Sequence, residues 1–578
     1  MSESNEPGVP DAPRSTSEWQ VEWSGVVDPV RGEDRRGTSP RPWRRLPLSL
    51  LAALALACGP QPVPVEESAP ARASGGQGSA VNPAADIVDG RTLAAFAADV
   101  ESALGRYRIP GAAVAVVRGD RIVYAEGFGR RDLRRGTPVT ADTLFRVGGV
   151  TQALTSSMIA TLVDEDRLEW DQKMQELRPD LALPTDYLTR TARLRDLLGM
   201  TTGMEGRHFD QSFYAGEQSP EQVVEDLAAL PVAELPGKRF IDQPAAFAAA
   251  GYLAALSGTD AARGYAEAYR HLMQQQLFGP AGMTRTTVGG NLPAMTENYA
   301  KPYAVDLQAV DPAGQALDDW WVEAGFHEID GSSPTAGGAS TARDLARFLI
   351  LHLRGGIAES GKRVASDVNL RETRRSAVDL TGEQAVRWPM ADGYGRGMGW
   401  VSSDLGGRRY VGAAGGVDGY FAEIGLLDGG TGLGLVVLTN LDASVGGGAF
   451  CAEVRDAFLA GVLRLELPRR SVPEGDHRAV AGRVRELAKE ARPVRAAAVR
   501  PFLGAYDMGW RVGFEDGQLE LLRRGRSLPL EAFDDDGYLV VRGSHAGTRL
   551  RFVRDSGSVA MAFAGLDGSE IDRVVKQN

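Results

Sequence analysis

The chain has 578 residues, with 76 Asp and Glu against 64 Lys and Arg, giving a formal net charge of −12. An apolar share of 43% and a charged share of 24% are those of a globular protein with a real core, and the length suits two folded domains plus tails. The acidic balance argues against a nucleic-acid partner, and two cysteines, Cys58 and Cys451, allow at most one disulfide and no Cys/His zinc cluster, so no metal or cofactor is expected.

Residues 1–40 are polar, rich in Pro, Ser, Glu and Arg, and read as disordered. A basic flank ending in Arg44-Arg45 then meets "LPLSLLAALALAC". That apolar run is about a dozen residues, short of the roughly 20 that span a bilayer, so it reads as a signal peptide. It ends in Ala55-Leu56-Ala57-Cys58, which resembles a bacterial lipobox with Cys58 as the lipidated residue, although Ala55 stands where Leu is usual. The other reading is an ordinary signal peptide with a chance cysteine. Residues 1–58 are thus a leader, and residues 59–86, dominated by Pro, Gly, Ala and Ser, a flexible tether. The expected location is the bacterial cell envelope, lipid-anchored on the periplasmic side or secreted.

Globular patterning begins near Asp86, where Leu93, Phe96, Val100 and Leu104 recur at helical spacing. "GAAVAVVRGDRIVYAEGFG" predicts a hairpin turning at Gly119-Asp120. A helix is expected from about Gly149, with Leu154, Met158, Ile159, Leu162 and Val163 on one face. Residues 175–340 mix helices with long polar loops. "RRYVGAAGG", "GYFAEIGLL" and "GLGLVVLTN" predict three strands, followed by a helix carrying Phe450, Cys451, Val454 and Phe458, with Cys451 a buried small apolar residue. The expected fold is α+β: one antiparallel sheet flanked by helices, with an all-helical subdomain, over residues 87–465. Residues 466–497 read as a helical linker. Residues 498–578 read as a small all-β domain turning at Asp516-Gly517, Asp536-Gly537 and Ser556-Gly557.

Ordered landmarks then carry a family resemblance: "IPGAAVAVVRGDRIVYAEGFGRRDL", "TPVTADTLFRVGG", "LRDLLGMTTGM", "LFGPAGMTRT", "AGGASTARDLARFL" and "GYGRGMGWVSSDLGGRRYVGAAGGVDGYFAEIGLLDGGTGLGLVVLTN". The chain resembles the serine β-lactamase-like hydrolases, which include class C β-lactamases, D-amino-acid peptidases and esterases of the penicillin-recognising fold. The terminal β domain resembles, more loosely, the lipocalin-like domain often appended to them. The resemblance implies three catalytic motifs: SxxK, whose Ser attacks a carbonyl while Lys helps remove its proton; Tyr-x-Asn, which assists proton transfer; and Lys/His-x-Gly, which helps hold substrate. Two backbone N–H groups make the oxyanion hole.

The flanks of each motif place it here. The nucleophile position falls on Gly149 and the base position on Gln152. Tyr-Ser-Asn has become Asp242-Gln243-Pro244, and Ala413 takes the His/Lys position, with Gly415 and Gly416 kept. Gly149 and Gly416 can still offer oxyanion-hole N–H groups. No Ser lies three residues before any of the six lysines, so no second SxxK exists. Thr151 has no basic neighbour in sequence. Ser156 and Ser157 lie roughly two turns further along the helix. His208, with Glu205 and Asp210 near it in sequence, and His327 read as solvated loop histidines rather than ligands.

These replacements predict an exported, lipid-anchored, non-catalytic homologue that binds a peptide, a peptidoglycan fragment or a protein in the old cleft, which the lost side chains should leave wider and less polar. The alternative is an active serine-type hydrolase (esterase, β-lactamase or D-amino-acid peptidase) with atypical catalytic residues.

Overall fold

The structure is a computed structural model. It describes residues 88–205, 218–259, 263–290, 292–310, 321–326, 329–380, 394–404, 408–428, 432–443, 446–462, 476–506, 510–523, 526–533, 537–540, 549–555, 558–564 and 570–576. The leader, the Cys58 site, the tether, His208 and His327 lie outside these residues.

Helix α1 (Gly90–Tyr107) begins where the Asp89 carboxylate accepts a 2.7 Å hydrogen bond from the Thr92 N–H, and it buries Phe96, Val100, Ala103 and Tyr107 at the predicted spacing. Strands β1 (Gly111–Arg118) and β2 (Arg121–Asp132) form the expected hairpin, with Gly119 at φ +61° in its turn. The strands that follow are β3 (Thr137–Pro138), β4 (Phe145–Arg146), β5 (Thr287–Val288), β6 (Tyr303–Val305), β7 (Trp321–Glu323), β8 (Gly338–Ser340) and β9 (Val378–Leu380). Next come β10 (Tyr394–Arg396), β11 (Val401–Asp404), β12 (Arg409–Val417), β13 (Tyr420–Asp428) and β14 (Leu433–Thr439). Nine of them build one antiparallel sheet in the order β3-β2-β1-β14-β13-β12-β11-β10-β9.

Strand β1 is central and buried on both faces, so alternation there separates two cores rather than core from solvent. Ala113, Ala115 and Val117 face a layer of helices that includes α2 (Val150–Asp164) and helix Ala342–Leu353. Ala112, Val114 and Val116 face the layer of α1 and helix Gly447–Ala457, in which Cys451 is buried as expected.

Helix α2 departs from the one-faced reading of the sequence. Val150 to Leu162 are all buried, including Thr151, Gln152, Thr155, Ser156, Ser157 and Thr161. The helix is enclosed, and its hydroxyls are satisfied within the protein: Thr155 donates to the Thr151 carbonyl at 2.9 Å and Thr161 to that of Met158 at 2.7 Å. The segment between the two halves of the sheet is mostly helical but also holds the short strands β4, β8 and β5, which pair in that order, and the β6–β7 pair.

Helix Asp476–Glu490 lies within the segment read as a linker, of which residues 466–475 are outside the described set. It leads to an eight-stranded antiparallel meander: β15 (Gly504–Ala505), β16 (Trp510–Glu515), β17 (Gln518–Arg523), β18 (Arg526–Ala532), β19 (Gly537–Val540), β20 (Arg549–Asp555), β21 (Ser558–Ala564) and β22 (Glu570–Val575). A bridge between Tyr506 and Lys576 brings its two ends together, and Tyr506, Trp510, Phe552 and Phe563 fill its core. Of its three predicted turns, Asp516-Gly517 is described, at φ +50° and +83°, the left-handed pair a two-residue hairpin needs. The others include residues 534–536 and 556–557, outside the described set. The module docks on the α1 side of the main sheet, where Leu539 joins that core and Gln308 donates to Glu531 at 2.6 Å.

Candidate functional site

Gly149 is the N-cap of α2, at the predicted helix start. Its backbone is right-handed, φ −59° and ψ −16°, so conformation does not demand glycine. Space does. A Cβ at Gly149 would lie 2.6 Å from the Ala414 carbonyl oxygen, and one at Gly415 would lie 2.5 Å from the Gly149 nitrogen. Gly148, at φ +47°, has the same strand against it, with a Cβ there 2.9 Å from the Gly415 carbonyl. The start of α2 and the free end of β12 thus meet backbone to backbone, a contact that only glycines permit. Gly149 is half-buried and Gly416 exposed, so both backbones border the surface of the site.

Ala413 is 2% exposed and belongs to the core that surrounds α2, so the His/Lys position carries a packing residue rather than a cleft-lining one.

Gln152 points at a residue that the sequence reading did not select. Its Oε1 accepts a 2.6 Å hydrogen bond from Nη2 of Arg396, on strand β10. Arg396 is 6% exposed and lies over the Phe240 ring, 4.8 Å from its centroid. Loss of water pushes its pKa down to about 10, partly offset by the nearby Asp242 carboxylate, so it remains a cation at neutral pH. Nε of Arg396 is buried without a hydrogen-bond partner. The tight turn after β10 brings it there: Gly397 N–H donates to the Trp400 carbonyl at 2.8 Å, and Gly399, at φ +84°, lies so close to α2 that a Cβ would sit 2.6 Å from the Gln152 carbonyl carbon.

Asp242 and Pro244 follow from a rebuilt loop. Pro244 is the first residue of helix Pro244–Ser257, where its missing N–H costs nothing. Gln243 caps that helix by accepting from Ala245 N–H at 2.9 Å and Ala246 N–H at 3.4 Å, and donates to the Glu205 carbonyl at 3.0 Å. This leaves Asp242 half-buried beside Arg396. Gln152 and Asp242, from two separate motifs, therefore converge on one buried guanidinium. Strand backbone lies against Gly149, and Arg396 brings a charge beside the base position.

The substitute nucleophiles are enclosed. Thr151 Oγ1 donates to the Gly148 carbonyl at 2.6 Å, accepts from Gly338 N–H at 3.0 Å and is fully buried. Ser156 Oγ donates to the Ala153 carbonyl at 3.2 Å. Ser157 Oγ lies 3.1 Å from Nε2 of His352, a Ser–His pair that the sequence did not reveal because 195 residues separate its members. Ser157 is 0% and His352 2% exposed, and His352 is packed edge-on to Phe348 and Trp400. Burial holds the imidazole pKa well below its usual value, so it is neutral. With no exposed face for a substrate, this pair is a hydrogen bond inside the core. Among the described residues no group of three or more His, Cys, Asp or Glu is placed to hold a metal ion.

The β-lactamase family pattern matches residues 96–460. Penicillin-binding protein 4 of Amycolatopsis lactamdurans is 26% identical over 382 residues, covering 65% of this chain and 91% of that protein. The unguisins hydrolase ungD of Aspergillus violaceofuscus is 34% identical over 225 residues, covering 36% of this chain and only 38% of that protein. In structure the chain is similar to the octameric penicillin-binding protein homologue from Pyrococcus abyssi, with a TM-score of 0.53 at 19% identity over 84% of this chain and 100% of that one. The D-amino acid amidase from Ochrobactrum anthropi gives a TM-score of 0.51 at 19% identity over 64% of this chain and 98% of that one. The single antiparallel sheet covered by helices on both faces, the enclosed central helix and a family match over most of the folded domain agree: the chain belongs to the β-lactamase family of serine hydrolases and penicillin-binding proteins.

Proposed function

We propose that this protein is an exported, lipid-anchored, non-catalytic member of the family, which binds a peptide, a peptidoglycan fragment or a protein of the cell envelope at the site of the ancestral cleft. The observation that carries this reading lies at the motif positions: Gln152, in place of the base, accepts a hydrogen bond from the buried Arg396 guanidinium, and the Asp242 carboxylate, in place of the proton-transferring tyrosine, acts on that cation only through its charge. Gly149 has no side chain to attack with, and among the described residues the hydroxyls of Thr151, Ser156 and Ser157 are buried. Loss of such a nucleophile or base costs on the order of 10⁶ in turnover, while a binding site and backbone N–H groups, here those of Gly149 and Gly416, leave roughly 10³–10⁴ over water.

Mature protein incubated with nitrocefin, p-nitrophenyl acetate and a fluorophosphonate probe is expected to give no turnover above background and no covalent adduct. A labelled residue in the folded domain would overturn this reading in favour of a hydrolase with atypical residues. That second reading draws on relatives named as an esterase of Burkholderia gladioli and a D-aminopeptidase of Gluconobacter oxydans.

Anchoring rests on the leader sequence and is tested separately. Metabolic labelling with a fatty-acid analogue in a bacterial host is expected to mark the protein and to disappear in Cys58→Ala; label that persists would move the lipid elsewhere.

A further inference from the structure

We propose that the hairpin joining β2 to β3 is a docking element for an anionic phospholipid bilayer. The proposal goes beyond the ligand reading above and needs neither the ancestral cleft nor the lipid anchor.

Residues 130–135 read Arg-Arg-Asp-Leu-Arg-Arg, so four cations lie within six positions of a chain whose net charge is −12. The backbone of this segment is pinned. Leu133 N–H donates to the Tyr303 hydroxyl at 2.8 Å, Lys301 N–H to the Arg131 carbonyl at 2.7 Å, and Arg135 N–H to the Asp132 carboxylate at 3.0 Å. The acid within the segment is turned inward: Asp132 is 6% exposed and lies 3.6 Å from the Lys301 ammonium and 3.8 Å from Arg135 Nε. Lys301 is itself matched by Glu323 at 2.7 Å. The other arginines are not matched in this way. Arg130 donates to the Gly136 carbonyl at 2.9 Å and Arg131 to the Asn298 side chain, acceptors that carry no charge. Arg134 makes no hydrogen bond or ion pair among the described residues. Arg130, Arg134 and Arg135 are exposed, and the apolar residue between the two pairs faces water too, with Leu133 39% exposed.

Charges on an edge strand guard it against pairing with another strand, which accounts for Arg130. Arg134 and Arg135 lie beyond the last ladder pair, Asp132 with Thr137, where no edge needs guarding. A leucine between pairs of arginines fits the boundary of a bilayer: the leucine enters the acyl region, while the guanidinium groups stay at phosphate depth and donate to it in pairs. A soluble polyanion would use the arginines and leave the leucine in water. Repulsion between the bilayer and the rest of the acidic chain is screened beyond about 8 Å at physiological salt, so the local charge decides.

The test is sedimentation of the mature protein, made without its leader so that no acyl chain is attached, with phosphatidylcholine vesicles that contain either no phosphatidylglycerol or roughly one-third of it. The anionic vesicles are expected to bind at least about tenfold more strongly, an advantage lost near 1 M salt, where the Debye length is about 3 Å. Arg134→Glu/Arg135→Glu should weaken binding by more than about tenfold, and Leu133→Ser by about three- to tenfold. Lys238→Glu/Arg239→Glu, an equal change of charge on another exposed segment, should have little effect. Should the double reversal fail to fold, Arg134→Gln removes only a side chain without partners and is expected to cost about fivefold. The proposal is overturned if anionic vesicles bind no better than neutral ones, or if the Lys238/Arg239 reversal weakens binding as much as the hairpin reversal. It is equally overturned if Leu133→Ser binds as well as the parent, which would make the hairpin a site for a soluble polyanion.

Discussion

Gly149→Ser is expected to destabilise the protein and to restore no hydrolysis. At an N-cap, Ser normally equals or slightly improves on Gly, by a few tenths of a kcal/mol. Here the new Cβ meets the Ala414 carbonyl at 2.6 Å, and the atom in its way belongs to a strand backbone that cannot rotate aside. Forcing an extra carbon into packed structure costs about 1–3 kcal/mol, so the clash exceeds the capping gain. Because the obstacle is the Cβ and not the hydroxyl, Gly149→Ala should lose at least as much. Denaturant melts of the two variants give the comparison. A serine variant as stable as the parent would mean that strand β12 yields, and the account of a sealed helix start would fall. Nitrocefin turnover should stay at background in Gly149→Ser and in Gly149→Ser/Gln152→Lys, since Asp242 and Ala413 still hold the other motif positions.

Gln152→Lys is expected to cost more than its conservative size suggests. It replaces the acceptor of a 2.6 Å hydrogen bond from Arg396 with a second cation. Two like charges about 4 Å apart repel by roughly 4 kcal/mol at the effective dielectric of a protein, and a hydrogen bond to a charged group worth about 1.5–3 kcal/mol goes with it. Arg396→Met behaves differently. It strands the Gln152 carbonyl, at about 1–3 kcal/mol, but removes a cation whose lowered pKa records a folding penalty. A fall from the ordinary arginine range to about 10 amounts to roughly 3 kcal/mol. The sign follows from proton binding: the unfolded chain holds the proton more tightly, so the penalty is complete below about pH 10 and fades as pH rises towards the unfolded value. Arg396→Met should therefore sit near neutral in stability, and Gln152→Lys/Arg396→Met should recover most of the loss seen in Gln152→Lys. A double-mutant cycle with a coupling below about 0.5 kcal/mol would show that the two side chains do not interact.

The cluster around Arg396 is hidden in the sequence because its members are far apart in the chain. Gln152 and Asp242 were legible as changed motif positions, since the flanks "LFRVGG" and "PGKRF" still mark the places. Arg396 carried no signal. It lies inside a glycine-rich stretch, and an arginine in a loop-like segment reads as a solvated surface charge until the turn at Gly397–Trp400 is seen to fold it against α2. The close approach of the α2 backbone to strand β12 at Gly148, Gly149 and Gly415 was equally hidden, because it joins segments far apart in the chain.

By itself the sequence determined the β1–β2 hairpin, the helix start at Gly149, the three strands around Ala413, the β module, and the family, because each rests on local period, turn residues or an ordered set of short motifs. Only the tertiary structure decided that α2 is enclosed on every side, that Thr151, Ser156 and Ser157 spend their hydroxyls inside the core, and that Arg396 stands at the base position. Those facts depend on contacts between residues such as Ser157 and His352, or Gln152 and Arg396, 195 and 244 positions apart. Local pattern fixes which backbone a segment adopts, while burial and the partner of a charge are set by whatever the fold brings against it.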